Sequence, residues 1–141
     1  MAEASYLLDT DILSDLIKHP AGTVARHIAT VGEDTICTSI VVACELRYGG
    51  MKKGSLALSE KIEQLLSVID VLPLEVDADR EYGVIRSSLE KAGTIIGAND
   101  MLIAAHALSQ NLTLITGNTS EFSKINGLKL KNWLTGTASH P

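Results

Sequence analysis

With 141 residues, 45% hydrophobic and 21% charged, the chain has the size and composition of one globular domain. Its apolar runs are too short, or too often broken by charge, to span a bilayer. The formal charge of −5 argues against a nonspecific polyanion binder, which needs clustered Lys and Arg. Residues 1–5 carry no basic region of the kind that opens a secretory signal, so a cytoplasmic location is expected.

Tyr6-Leu7-Leu8 reads as a short buried strand, followed by Thr10 or Asp11 as N-cap of a helix with Ile12, Leu13, Leu16 and Ile17 at helical spacing. His19-Pro20 ends that helix, and 22–31 forms another, closed by Gly32. Residues 35–39 are rich in β-branched side chains and predict a strand, then a helix over 41–48 that Gly49-Gly50 stops. An amphipathic helix over 56–69 leads into the strand Val71-Leu72. Next come a helix over 77–92, a loop over 93–97, and a helix capped by Asn99 or Asp100 that runs to Gln110. A strand over 112–116 ends at Gly117-Asn118, with a turn through Glu121-Phe122 and a last strand over 128–130. Cys37 and Cys44 fit neither a CxxC pair nor a disulfide framework, and both are expected in the core.

Strands alternating with helices imply parallel pairing and right-handed crossovers, hence an α/β fold: a three-layer α/β/α sandwich around a mostly parallel sheet. Residues 1–135 form a single domain in this reading, with 136–141 a loose tail. Ligands gather beyond the carboxyl ends of such strands, where Asp9, Asn118 and Glu121 fall.

Three carboxylates stand in apolar surroundings: Asp9 after Leu7-Leu8, Glu45 within Ile40-Val41-Val42-Ala43-Cys44, and Asp100 before Met101-Leu102-Ile103. Burying an ionised carboxylate costs several kcal/mol unless a cation or strong donors compensate it. Taken singly, Asp9 or Asp11 could cap the first helix and Asp100 the helix that begins at Met101; Glu45, inside a helix, has no such role, and Arg47 two residues on points elsewhere. If the three converge within about 5 Å, each pair repels by roughly 3 kcal/mol at an effective dielectric near 20, which points to a bound cation. Carboxylate oxygens suit Mg²⁺ or Mn²⁺, and no His or Cys set has zinc spacing; His106, among alanines, reads as a packed or surface residue. Such ions commonly drive attack of water on a phosphodiester. Asp9 and Asp100 would then hold the metal, and Glu45 would complete the cage or orient the water.

Leu7-Leu8-Asp9-Thr10-Asp11-Ile12-Leu13-Ser14, Thr38-Ser39-Ile40 through Glu45-Leu46-Arg47-Tyr48-Gly49, and Gly97-Ala98-Asn99-Asp100-Met101-Leu102-Ile103-Ala104-Ala105-His106-Ala107 resemble, in order, the motifs of PIN-domain proteins of the VapC toxin type. The resemblance runs from about Tyr6 to Trp133. It implies a Mg²⁺- or Mn²⁺-dependent endoribonuclease that cleaves RNA, tRNA among the candidates, and is inhibited by a cognate VapB-like antitoxin. It further implies a toxin homodimer, a heterotetramer or larger assembly with antitoxin, and operator DNA bound only through the antitoxin. Matched residue by residue, the family's acids fall on Asp9, Glu45 and Asp100. The fourth falls on Asn118, so Glu121 is the candidate substitute, with Thr116, Thr10 and Ser39 as supporting hydroxyls. Arg47, Lys52 and Lys53 form the densest basic group and are candidates for phosphate contacts, or a solvated helix end. Leu13, Leu16, Ile17, Leu58 and Leu65 serve the core alone or extend to a groove for an antitoxin helix. Two rivals stand beside this reading: a haloacid-dehalogenase-like phosphatase with Asp9 as nucleophile of a DxD motif, and a non-catalytic binding module.

Overall fold

The computed structural model describes residues 3–135, so the tail expected at 136–141 lies outside the described residues. Five strands, β1 (Tyr6–Leu8), β2 (Ile36–Ser39), β3 (Asp70–Leu72), β4 (Thr113–Ile115) and β5 (Leu130–Lys131), pair in parallel in the order β3-β2-β1-β4-β5. Between them lie α1 (Thr10–Lys18), α2 (Thr23–Val31), α3 (Ile40–Lys53), α4 (Leu56–Val68), α5 (Ala78–Ala92), α6 (Ala98–Ser109) and the short α7 (Thr119–Phe122). The chain steps outward from β1 to β2 and β3, then crosses back to β4 and β5. Right-handed crossovers therefore put α1–α4 on one face and α5–α6 on the other, giving the expected three layers. The reversal makes β1 and β4 flank the topological switch point, where the carboxyl ends of the strands leave a crevice.

The central strands are short and mostly apolar because they are covered on both faces: Leu7, Leu8, Leu114 and Ile115 are fully buried. On α6 the run Met101, Ile103, Ala104, Ala105, His106 and Ala107 is buried almost all round, as befits a helix lying between the sheet and α5. Near the chain's end Trp133 packs its indole on His27, ring planes 2° apart and centroids 5.3 Å apart, and also touches Tyr6.

Several boundaries depart from the sequence reading. The turn expected at Glu121-Phe122 is the single-turn helix α7, and the last strand spans Leu130–Lys131, starting two residues later than the expected 128–130. Gly49-Gly50 does not stop α3, which continues to Lys53 and ends at Gly54 in the left-handed conformation. Gly50 is instead a contact surface: a Cβ there would stand 3.0 Å from both Ile62 Cδ1 and Ser59 Oγ of α4. Gly50→Val should therefore push α4 off α3 and destabilise the fold by about 1–3 kcal/mol, read as a lower urea midpoint. Cys37 is in the core, its thiol pushed up to about 12 mainly by burial, but Cys44 is exposed, on the outer side of α3.

Candidate active site

Asp9 follows β1 and, of the residues that could cap α1, is the one that does so, rather than Thr10 or Asp11: its Oδ1 accepts from the Thr10 amide at 2.8 Å. Across the switch point its own amide donates to the Ile115 carbonyl at 2.9 Å, and the Thr116 hydroxyl donates to its Oδ2 at 2.9 Å. Those donors fix the carboxylate but do not compensate its desolvation. Asp9 is only 6% exposed, and burial, reinforced by Asp11 and Glu45, pushes its carboxyl up to about 6.

Glu45 reaches the same place from the second turn of α3. The Thr10 hydroxyl donates to its Oε1, and the Asn99 amide lies 3.5 Å from its Oε2. Asp100 does not cap α6. Gly97 occupies the N-cap, which places Asp100 in the first helical turn, where the helix N-terminus favours an anion. Even so its carboxyl is pushed up to about 7, first by burial, then by a shared hydrogen bond with Glu121 and the nearby charges of Glu121, Asp9 and Glu45. On α7 the Asn118 amide donates to Glu121, while the Asn118 backbone donates to Thr116 Oγ1 at 3.1 Å. One hydrogen-bonded chain thus runs from Glu121 through Asn118 and Thr116 to Asp9, Thr10 and Glu45.

Asp11 stands apart, accepting from the Gly117 amide at 2.8 Å. A Cβ at Gly117 would fall 2.6 Å from that carboxylate and 2.5 Å from Leu134 Cδ1, so the loop after β4 needs glycine to close on Asp11. Of the basic residues, Arg47 is committed to a bidentate pair with Glu63 at 2.8 and 2.9 Å, on the exposed surface. Lys52 sits 6.0 Å from the Tyr48 ring.

Sequence reasoning read Asn99 only as a cap and left His106 as a packed or surface residue. His106 is fully buried, its Nδ1 2.7 Å from the Ser39 hydroxyl. Ser39 Oγ also accepts from the Val41 amide as N-cap of α3, so one hydroxyl serves both the helix end and the imidazole. Nε2 has no hydrogen-bond partner among the described residues, and burial lowers the pKa of the ring. This contact ties the start of the Glu45 helix to the Asp100 helix. Ser39→Ala removes both a cap and a buried partner, and should cost about 1–3 kcal/mol in chemical denaturation. A Ser at the end of a strand and a His two turns into an apolar helix carry no signal of mutual contact until the topology is known.

The donors that meet here are oxygens, the ligand type that Mg²⁺ and Mn²⁺ take. Among the described residues no three His, Cys, Asp or Glu side chains are drawn together tightly enough to enclose an ion by themselves. That suits a cation held by one or two carboxylates and several waters better than a closed cage. The carboxyls of Asp9 and Asp100 are both raised, chiefly by burial, and the Asp9 charge adds to the Asp100 shift, so a cation beside them would relieve both.

A model of the PIN domain matches residues 6–128, and the chain belongs to that family. Its relatives there are of the VapC type. It is 38% identical over 130 residues to ribonuclease VapC2 of Rickettsia felis, covering 91% of this chain and 97% of the relative. It is 36% identical over 132 residues to the tRNA(fMet)-specific endonuclease VapC of Shigella flexneri, covering 91% and 97%. The crystal structure of VapBC2 from Rickettsia felis bound to a DNA fragment from their promoter superposes with a TM-score of 0.85 at 35% identity, over 91% of this chain and 98% of that one. VapBC-1 from nontypeable Haemophilus influenzae gives 0.82 at 34% identity, over 92% and 98%. No helix among the described residues is long and apolar enough to cross a membrane.

Proposed function

We propose that this chain is a Mg²⁺- or Mn²⁺-dependent endoribonuclease, the toxin of a toxin–antitoxin pair, that hydrolyses a phosphodiester of RNA. The observation that supports it most is the meeting of Asp9, Glu45, Asp100 and Glu121 at the carboxyl edge of the sheet, with two of their carboxyls raised toward neutrality. Asp9 and Asp100 would hold the ion, which would lower the pKa of water and offset charge on the phosphate oxygens. Asp9 presents one carboxylate in a fixed orientation because Thr10 and Thr116 each hold one oxygen. Glu45, restrained by Thr10 and beside Asn99, orients the attacking water and accepts its proton. Glu121, held by Asn118 and pressed on Asp100, stands in for the acid that Asn118 lacks.

The name of the Shigella relative supports tRNA as the class of substrate. The VapBC structures, one of them bound to a promoter fragment, support an antitoxin partner and contact with operator DNA through that partner. A toxin homodimer or a larger complex with antitoxin, in the cytoplasm, belongs to the same proposal. Leu16 and Leu65 line two adjoining apolar hollows of about 440 and 490 Å³ between α1 and α4, a fitting seat for an antitoxin helix. The phosphatase reading is set aside, since the PIN domain accounts for residues 6–128.

The test is incubation of purified, antitoxin-free protein with total RNA, with and without Mg²⁺ or Mn²⁺, beside Asp9→Ala and Asp100→Ala. Cleavage by wild type only with metal supports the proposal. Equal cleavage by wild type and both variants overturns it.

A further inference from the structure

A cleft of about 220 Å³ opens from the acids and runs between α1 and the α3–α4 pair. Thr10 and Glu45 form its end nearest the acids, and Ser14, Lys18, Lys53 and Gly49 line it further along. We propose that this cleft is the track for the RNA strand next to the bond being cut, with Lys18 and Lys53 as its phosphate contacts; this rests on the endoribonuclease reading above.

Four features of the cleft support the assignment. Its acid end shares Glu45 and Thr10 with the candidate active site, so whatever lies in it is continuous with the reacting group. In a chain of net charge −5, its walls carry two lysines, and Glu45 at the mouth is its one lining carboxylate. Neither lysine is engaged in an ion pair among the described residues, unlike Arg47, which Glu63 holds outside the cleft. Its volume is below the roughly 300 Å³ from which small-molecule pockets begin, which fits a stretch of sugar–phosphate backbone rather than an enclosed ligand. Ile17, Leu46, Leu58 and Ile62 also line the cleft and offer apolar surface to sugar and base, while the two lysines set the charge of the occupant: a flexible polyanion threaded past Glu45.

Gly49 gives the proposal a clean probe. A Cβ there would meet nothing within 4 Å, so a larger side chain is accommodated by the protein and projects into the cleft. This contrasts with Gly50 one residue on, where α4 leaves no room.

The experiment measures kcat/KM for tRNA cleavage by the full chain at several KCl concentrations and constant Mg²⁺, for wild type, Lys18→Ala, Lys53→Ala, Gly49→Leu and the control Lys91→Ala, at the end of α5 on the other face of the sheet. Each cleft lysine should lower the magnitude of the log–log salt slope by about 0.7, the value for one phosphate contact to a single strand, while Lys91→Ala leaves it unchanged. Gly49→Leu, which replaces a glycine inside α3, should melt at or above the wild-type temperature and lose on the order of tenfold to a hundredfold in kcat/KM. Wild-type slopes in both lysine variants together with full activity of Gly49→Leu would overturn the track while leaving the nuclease standing. The same holds if Gly49→Leu weakens only antitoxin binding, since the cleft then seats a peptide. Absence of cleavage by wild type itself would overturn the nuclease reading, a result distinguishable from either.

Discussion

Asp9→Asn is expected to make the metal-free protein more stable while reducing RNA cleavage by at least about a hundredfold to a thousandfold. The stabilisation follows from burial. Asp9 is 6% exposed and its carboxyl rises from 3.8 to about 6, because the Thr10 amide and Thr116 hydroxyl offset only part of the lost hydration. A shift of that size corresponds to about 2–3 kcal/mol of destabilisation once the group is ionised in the folded state. Asparagine keeps the shape: its oxygen accepts from the Thr10 amide, and its NH₂ donates to Thr116, whose hydroxyl reverses. Near pH 8 in chelator, the melting temperature of Asp9→Asn should exceed that of wild type by about 5 °C or more. The functional loss follows from the same charge, since an amide oxygen is a poor ligand for a hard cation. A lower melting temperature for the variant would show that Asp9 is a structural cap first.

The second large effect is a pH dependence that metal reverses. Burial and neighbouring charge push the carboxyls of Asp100 and Asp9 up to about 7 and about 6 in the folded chain, both above 3.8, the value they approach when unfolded. Between roughly pH 4 and pH 7 these two groups therefore bind more protons in the native state than in the unfolded one, and the stability they contribute falls as pH rises through that window, against an opposite contribution from His27 and His106, whose pKa values burial lowers. Metal-free protein should melt higher at about pH 5 than at about pH 8. Adding Mg²⁺ or Mn²⁺ should raise the melting temperature near pH 8 and do little near pH 5, where protons occupy the same oxygens. Asp100→Asn should flatten the profile, because it removes the carboxyl that Glu121, Asp9 and Glu45 all press on. A metal-free melting temperature that climbs with pH would contradict the assigned electrostatics.

Much of the fold is legible from local pattern. Leu7-Leu8 before a helical spacing, and repeated strand–helix alternation, specify parallel strands and place Asp9 at their carboxyl edge. What local pattern cannot supply is any decision made by tertiary contact. Gly49-Gly50 looks like a stop because glycine favours helix ends, but α3 continues because α4 packs on the bare backbone of Gly50. Asp100 looks like a cap until Gly97 takes that position. The supporting contacts of the acids were legible only as residue types. Thr116 lies 107 residues from Asp9, and Thr10 lies 35 from Glu45, so their pairing follows from the placing of β4 and α3 beside β1. The basic run after Glu45 likewise reads as one group, whereas its members face different surroundings: Arg47 meets Glu63, Lys52 lies near Tyr48, and Lys53 lines the cleft.

The central claim is that Asp9 and Asp100, supported by Glu45 and Glu121, form a site for one divalent cation. Binding of Mn²⁺ to antitoxin-free protein near pH 8, followed by electron paramagnetic resonance of the free ion, tests it without relying on any RNA. The expected result is about one Mn²⁺ per chain in wild type, with affinity reduced at least about tenfold to a hundredfold in Asp9→Asn and in Asp100→Asn. Wild-type affinity in both variants, or no Mn²⁺ bound by wild type, would contradict it.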